Sequence, residues 1–250
     1  MRRLLLGSIA PVLFLGVWEM ASRTGLLTLE SLSRPSDIFI AWYHALLDGS
    51  LLIATYQTFE AALLGLAFAA VIGILCGTVL GLLPLVERIT GPTIEALRPI
   101  PAIAFMPLAL MMFGFGVTLE ASIVAYACVW PILIVTVAAV RAIEPRLLDV
   151  ADVLEMPFWK QMWTIILPAA FARINVGLRV AAAISLVVAV TVEIVLNPRG
   201  LGYRLTLASQ ELKIGLMYAQ LVWLCVVGYL LNAVLRNVGT GSITLWGSAR

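Results

Sequence analysis

Few side chains in this 250-residue chain could do chemistry, and their placement is informative. His44 is the single histidine, so neither a histidine-built metal site nor a Ser-His relay can be assembled. Cys76, Cys128 and Cys225 stand far apart, each within an apolar stretch. They read as buried structural thiols, because no disulfide framework or metal-ligand spacing is present. No catalytic set, metal ion or cofactor is expected. Glu193 is the sharpest single residue, because a carboxylate deep in an apolar run costs on the order of 3 kcal/mol unless it faces a partner or water. It is either a pathway or gate residue or a helix-end residue held by Arg199 or Arg204. Glu19 and Glu60 fall at expected outer helix ends, where interfacial solvation suffices.

The elements that must position these residues are transmembrane helices. Hydrophobic residues make up 62% of the chain and charged residues 12%, against roughly 25% charged in a soluble domain. A bilayer can hide that much apolar surface where a soluble fold of this size cannot. The net charge of +2, with no basic run longer than Arg2-Arg3, argues against nucleic acid as a partner. Residues 4–18, 61–83, 99–119, 121–140 and 214–235 carry no Asp, Glu, Lys or Arg. A sixth span, near 175–196, includes Arg179 and Glu193. The expectation is therefore an all-α membrane protein of about six transmembrane helices. The first run follows Met1-Arg2-Arg3 as a signal peptide would, but it lacks a small-residue cleavage site and is read as a retained helix.

With the N-terminus inside, the cytoplasmic side receives eleven of the 16 basic residues and the outer side five. The positive-inside rule then favours both termini in the cytoplasm. This topology leaves one large cytoplasmic loop at about residues 141–174. The chain reads as a single membrane domain over 1–250, with a core at about 53–240. Gly65, Gly73, Gly77 and Gly81 lie near one face of the second span, where glycine lets backbones approach closely. That ridge serves packing within the subunit or a face between subunits. Pro99, Pro101 and Pro107 punctuate the third span, which is either a kinked helix lining a pathway or an ordinary kink near a helix start.

In the large loop, Asp149 and Asp152 suit the first turn of a helix. Pro157 interrupts any long helix there, so a short helix, a turn and a second short helix are expected. Phe158, Trp159, Met162 and Trp163 follow at helical spacing, suited to the lipid interface or to anchoring a partner protein.

This loop resembles the EAA motif of binding-protein-dependent ABC importer permeases. Asp149, Val150 and Ala151 occupy the Glu-Ala-Ala places, and Ile165, Leu167 and Pro168 match the Ile-x-Leu-Pro end without a gap. Glu155 stands where the family usually has the glycine of the turn, so the adjacent Pro157 is the candidate for redirecting the chain. Along the rest of the sequence the nitrate, sulfonate and taurine permease branch is the most similar. Trp18-Glu19, Arg34-Pro35-Ser36, Glu95 through Pro101, Phe113-Gly114-Phe115-Gly116, Gly177-Leu178-Arg179, Glu193, Gly200-Leu201-Gly202-Tyr203 and Trp246 follow its pattern in order. Ala61 replaces a usual arginine and Leu186 a common tryptophan.

The resemblance implies the type I ABC importer permease fold in the bacterial cytoplasmic (inner) membrane. It implies two permease copies, as a homodimer, forming a pore, two ATP-binding ATPase subunits and an extracytoplasmic substrate-binding protein. The coupling helix seated in the ATPase would draw on Asp149, Ala151, Asp152, Glu155, Pro157, Phe158, Trp159, Met162, Trp163, Leu167 and Pro168. Pathway or gate residues would be Glu193, Ser185 and Thr191 on the fifth span, with Met106 and Phe113 on the third. The chain has no Gly-x-x-x-x-Gly-Lys-Ser/Thr loop, so ATP hydrolysis belongs to a separate subunit and this chain alone is not an enzyme. The expected solute is a small anion such as sulfonate, taurine or nitrate. A self-contained secondary transporter is the alternative, and it would show buried acid–base pairs or a repeated broken helix.

Overall fold

A computed structural model of the chain describes residues 2–24 and 32–247, which are helical almost throughout and contain no strand. In order these are α1 (Arg2–Arg23), α2 (Pro35–Leu47), α3 (Ser50–Leu82), α4 (Pro84–Leu97), α5 (Met106–Phe113), α6 (Val117–Arg141), α7 (Pro145–Val153), α8 (Phe158–Gln161), α9 (Leu167–Val195), α10 (Gly200–Gln210) and α11 (Ile214–Gly247). Among the described residues four helical stretches are long and apolar enough to cross a membrane, or five if the bent pair around α4 and α5 counts as one. The run at 4–18 is helical within α1, and many of its side chains lie outside the described residues.

The core is α3 packed on α6, with α9 against both. At 33 residues α3 is about 50 Å long, more than enough to span hydrocarbon. Its glycine ridge faces α6. Cβ atoms added at Gly65, Gly73, Gly77 and Gly81 would each come within 3 Å of Val124, Ile132, Thr136 and Val140 respectively. Each partner lies 59 positions further along the chain, so the two helices run parallel in a constant register. The ridge therefore serves packing within the subunit. Gly177 gives α9 the same close approach to Val135 of α6. Small and β-branched residues fill the seam, with Ala62, Ala69, Val124, Cys128, Ile132, Ala181 and Ala189 buried together.

Hydroxyls inside these helices are satisfied locally. Thr78 donates to the Ile74 carbonyl at 2.7 Å and Thr136 to Ile132 at 2.7 Å, the usual solution where lipid or protein excludes water.

The expected third span is corrected. Residues 99–119 do not form one kinked helix. Instead α4 and the segment Ala102–Phe113 meet at an 84° bend, and the second chain turn comes at Gly114 (φ 69°) and Gly116 (φ 133°). Pro99 and Pro101 lie in the break between them, where no helical hydrogen bond is lost. Because α6 begins at Val117, Glu120 sits in its first turn and not in a loop.

The large loop also differs from expectation. Only its first helix, α7, is short; the second runs unbroken from Phe158 through a π-helical turn at Met162–Ile166 into α9. Pro168 explains the π-turn. Its ring cannot donate to the Thr164 carbonyl and would clash with it in a regular α-helix, and a widened turn just upstream relieves both problems.

Candidate functional site

Two regions gather the polar and exposed groups, one at each end of the bundle. At the α10 end, the N-terminal turn of α10 is capped by side chains from other helices. The Gly200 N–H donates to Gln57 Oε1 at 3.0 Å, Leu201 N–H to Thr58 Oγ1 at 3.0 Å and Gly202 N–H to Glu193 Oε2 at 2.7 Å. A helix N-terminus carries partial positive charge and unpaired donors; α3 and α9 supply the acceptors. Gly200 has φ 82°, and a Cβ there would lie 1.9 Å from Glu193 Oε1, so only glycine fits. Glu193 is 1% exposed.

Around this cap lies a wider polar cluster. Arg199 donates to Glu60 at 2.6 Å, which places Arg199 on Glu60 and not on Glu193. Asn197, fully buried, accepts from the Gly116 N–H at 3.0 Å and donates to the Gly116 carbonyl at 3.2 Å and to Glu120. Glu120 is also fully buried. One oxygen of Glu120 and one of Glu193 have no hydrogen-bond partner among the described residues. Residues 193–197 thus tie the start of α10 to α3 and to the α5–α6 turn. The same device recurs on α2, whose Ser36 N–H and hydroxyl donate to Glu19 of α1 at 3.1 and 3.0 Å.

The other expected pathway residues have the following surroundings. Met106 is buried with Ala109, Leu119, Ile123 and Val192. Ser185 is buried and donates to the Ala182 carbonyl at 2.9 Å, and Thr191 donates to Val187 at 2.7 Å. Phe113 is half exposed at the end of α5. Ala61 and Leu186, where the sequence departs from the resembling branch, are both buried.

At the opposite end, α7, the turn and α8 project from the bundle. Ala151 and Met162 are buried, with Met162 packed among Ala139, Val140, Ile143 and Ile166. Asp149, Glu155, Pro157, Phe158, Trp159 and Trp163 are exposed, Trp159 at 69%. The side chain of Asp152 lies outside the described residues. The turn is a helix C-cap in which Met156 N–H donates to the Ala151 carbonyl at 3.0 Å and Leu154 N–H to Val150 at 3.1 Å. Glu155 occupies the left-handed position of this cap, at φ 48°, which is where glycine is ordinarily found. Trp163 lies one turn beyond Trp159 and turns into an apolar groove of about 820 Å³ with Leu167, Pro168, Phe171, Val71 and Leu75.

Sequence reasoning missed Glu120, Asn197, Gln57 and Thr58. Glu120 has a visible signal, since it is the single charge between the uncharged runs 99–119 and 121–140. The other three are neutral polar residues whose value lies in the backbone groups they meet and, for Asn197, in the Glu120 carboxylate as well. Neither region pairs a nucleophile with a base, and no group of His, Cys, Asp and Glu among the described residues could hold a metal ion. The geometry holds helices together at one end and leaves large apolar side chains exposed at the other.

Comparison with known proteins gives the fold and the family. A solved chain of the methionine ABC transporter MetNI superposes with a TM-score of 0.65 at 18% identity, over 76% of this chain and 95% of that one, which gives the fold as that of a type I ABC permease. A protein named as an aliphatic sulfonates transport permease in Bacillus subtilis is 27% identical over 92% of this chain and 83% of its own length. The taurine transport permease of Escherichia coli is 27% identical over 92% and 85%. Further relatives are bicarbonate and nitrate permeases of cyanobacteria. The model of the family described as the binding-protein-dependent transport system inner membrane component matches residues 69–240. The chain belongs to that family, and its relatives among the sulfonate, taurine, bicarbonate and nitrate permeases are similar over most of its length.

Proposed function

We propose that this chain is the pore-forming subunit of an ATP-driven importer that carries a small anion such as a sulfonate, taurine or nitrate into the cytoplasm. The observation that carries the reading is the α7–α8 projection. It is a short helix and turn with exposed Phe158 and Trp159, continuous through α8 with the spanning helix α9. Large aromatics exposed on a rigid projection suit the pocket of a protein partner. Any displacement of α8 is carried into α9 without an intervening hinge loop. An ATPase subunit seated on residues 141–174 would therefore bias the packing of α9 against α3 and α6, as a nucleotide-driven two-state switch requires. Hydrolysis takes place on that separate subunit.

In this reading the α7 end and both termini face the cytoplasm and the capped α10 end faces outward, towards a substrate-binding protein. A second copy of the chain completes the pore, and the whole chain acts as one membrane domain. Support for an unmet partner comes from α5, whose Leu108, Met111 and Met112 are exposed, Met111 at 86%, beside the half-exposed Phe113. Glu193 contributes by fixing α10 against α9, so that the outer end moves with the spanning helix. The family and its relatives favour this reading over a self-contained secondary transporter.

The test is affinity purification of the tagged chain from detergent-solubilised membranes. A stoichiometric ATPase subunit is expected with the wild type, and Trp159→Ala combined with Trp163→Ala is expected to lose it while still inserting. Unchanged recovery of the ATPase with that variant would refute the assignment of the docking surface.

A further inference from the structure

We propose that Glu155 is the partner-selecting residue of the α7–α8 turn, its carboxylate pairing with a basic side chain of the ATPase subunit that seats on this turn. The inference rests on the docking reading above and assigns a role to the residue that holds the left-handed position of the turn.

Three observations lead to it. Glu155 holds a left-handed conformation at φ 48°, which an L side chain adopts only against steric resistance and a glycine adopts freely. Glycine satisfies a helix C-cap of this kind without a side chain, so the local fold needs none here. Strain kept at an exposed turn points to a use for the side chain that imposes it. Second, Glu155 is exposed and no ion pair to its carboxylate is found among the described residues. Third, large apolar side chains beside it in the sequence are exposed too, Val153 at 82%, Leu154 at 64% and Trp159 at 69%, ahead of the exposed Lys160.

These surroundings decide the chemistry of the partner. A partner that covers Val153, Leu154 and Trp159 also takes Glu155 out of water. An unpaired carboxylate desolvated at an interface opposes binding, whereas one met by a cation does not. The matching ATPase surface must therefore carry a lysine or arginine opposite the turn. ATPase subunits built for a glycine at this place need no such cation and would be rejected, since specificity often comes from an unpaired charge in the wrong complex.

The experiment uses the full-length permease in detergent and the ATPase subunit that co-purifies with it, measuring affinity at low and high salt and the thermal midpoint of the permease alone. Glu155→Gly is expected to raise the midpoint by about 2 °C while weakening ATPase affinity about fivefold at low salt, the size of one ion pair. Glu155→Gln keeps the strained backbone without the charge, so it should lose affinity similarly with no rise in midpoint. Both variants should flatten the salt dependence of binding. Wild-type capture with affinity and salt dependence unchanged in both variants would overturn this proposal alone. A wild-type chain that captures no ATPase subunit at any salt would overturn the docking reading and this proposal with it.

Discussion

Glu193 shows how one residue type can be legible while its work is not. Its cost inside an apolar run announced that it must have a partner. Sequence alone offered Arg199 or Arg204, the nearest charges, yet the partner is the backbone of α10 at Gly202. Backbone donors are invisible in a residue list, and the neighbouring glycines that make room for the carboxylate are the only trace of them. Glu193→Gln keeps an amide oxygen for that N–H and is expected to change stability by less than about 1 kcal/mol. Glu193→Ala leaves a buried donor unpaired and is expected to cost about 2 kcal/mol, read as a lowered thermal midpoint and easier proteolysis of residues 197–213. Gly200→Ala should be worse than either, because a methyl group there meets the carboxylate at 1.9 Å with φ 82°. Glu155 carries the opposite sign, and its replacement by glycine should stabilise the isolated chain by about 1 kcal/mol.

At the level of elements, the uncharged runs and the glycine spacing predicted the α3–α6 seam, because long apolar helices and close backbone approach are written directly in residue type. Gly77→Leu would push a side chain into Thr136, whose Cβ already stands 2.7 Å from the position of an added Cβ. It is expected to abolish accumulation of folded protein in the membrane. Gly91→Ala in α4 meets nothing within 4 Å and should be neutral or mildly stabilising; both are checked by membrane yield and thermal midpoint. The prolines were harder to read. Pro99 and Pro101 mark a sharp bend between helices, Pro168 a π-turn inside one, and Pro157 the start of α8. Proline states that a hydrogen bond is missing, and the packing around it decides whether the chain turns, widens or begins. Hence the third span was expected to be one helix and the loop's second helix to be short, and neither is so.

For the whole molecule, class and family pattern were legible throughout, since composition demands a bilayer and the motifs fall in order along the chain. What composition could not supply is the division of labour between the two ends. One end is knitted by buried side chains onto backbone groups, with Asn197, Glu193, Thr58 and Gln57 joining helices far apart in sequence. The other leaves apolar and charged groups exposed on α7, its turn and α8. On the proposed function, α9 carries movement of a partner seated at α7 and α8 towards the capped end, since α8 runs into α9 without a loop.

The central claim is ATP-driven transport through this chain. The direct measurement is solute uptake into proteoliposomes containing the chain and its co-purified ATPase, supplied with the liganded binding protein, with and without ATP on the ATPase side. Accumulation that requires ATP, and that is lost with Trp159→Ala and Trp163→Ala, is the predicted result. Equal uptake without ATP or without the ATPase subunit would contradict the account and make the chain a transporter in its own right.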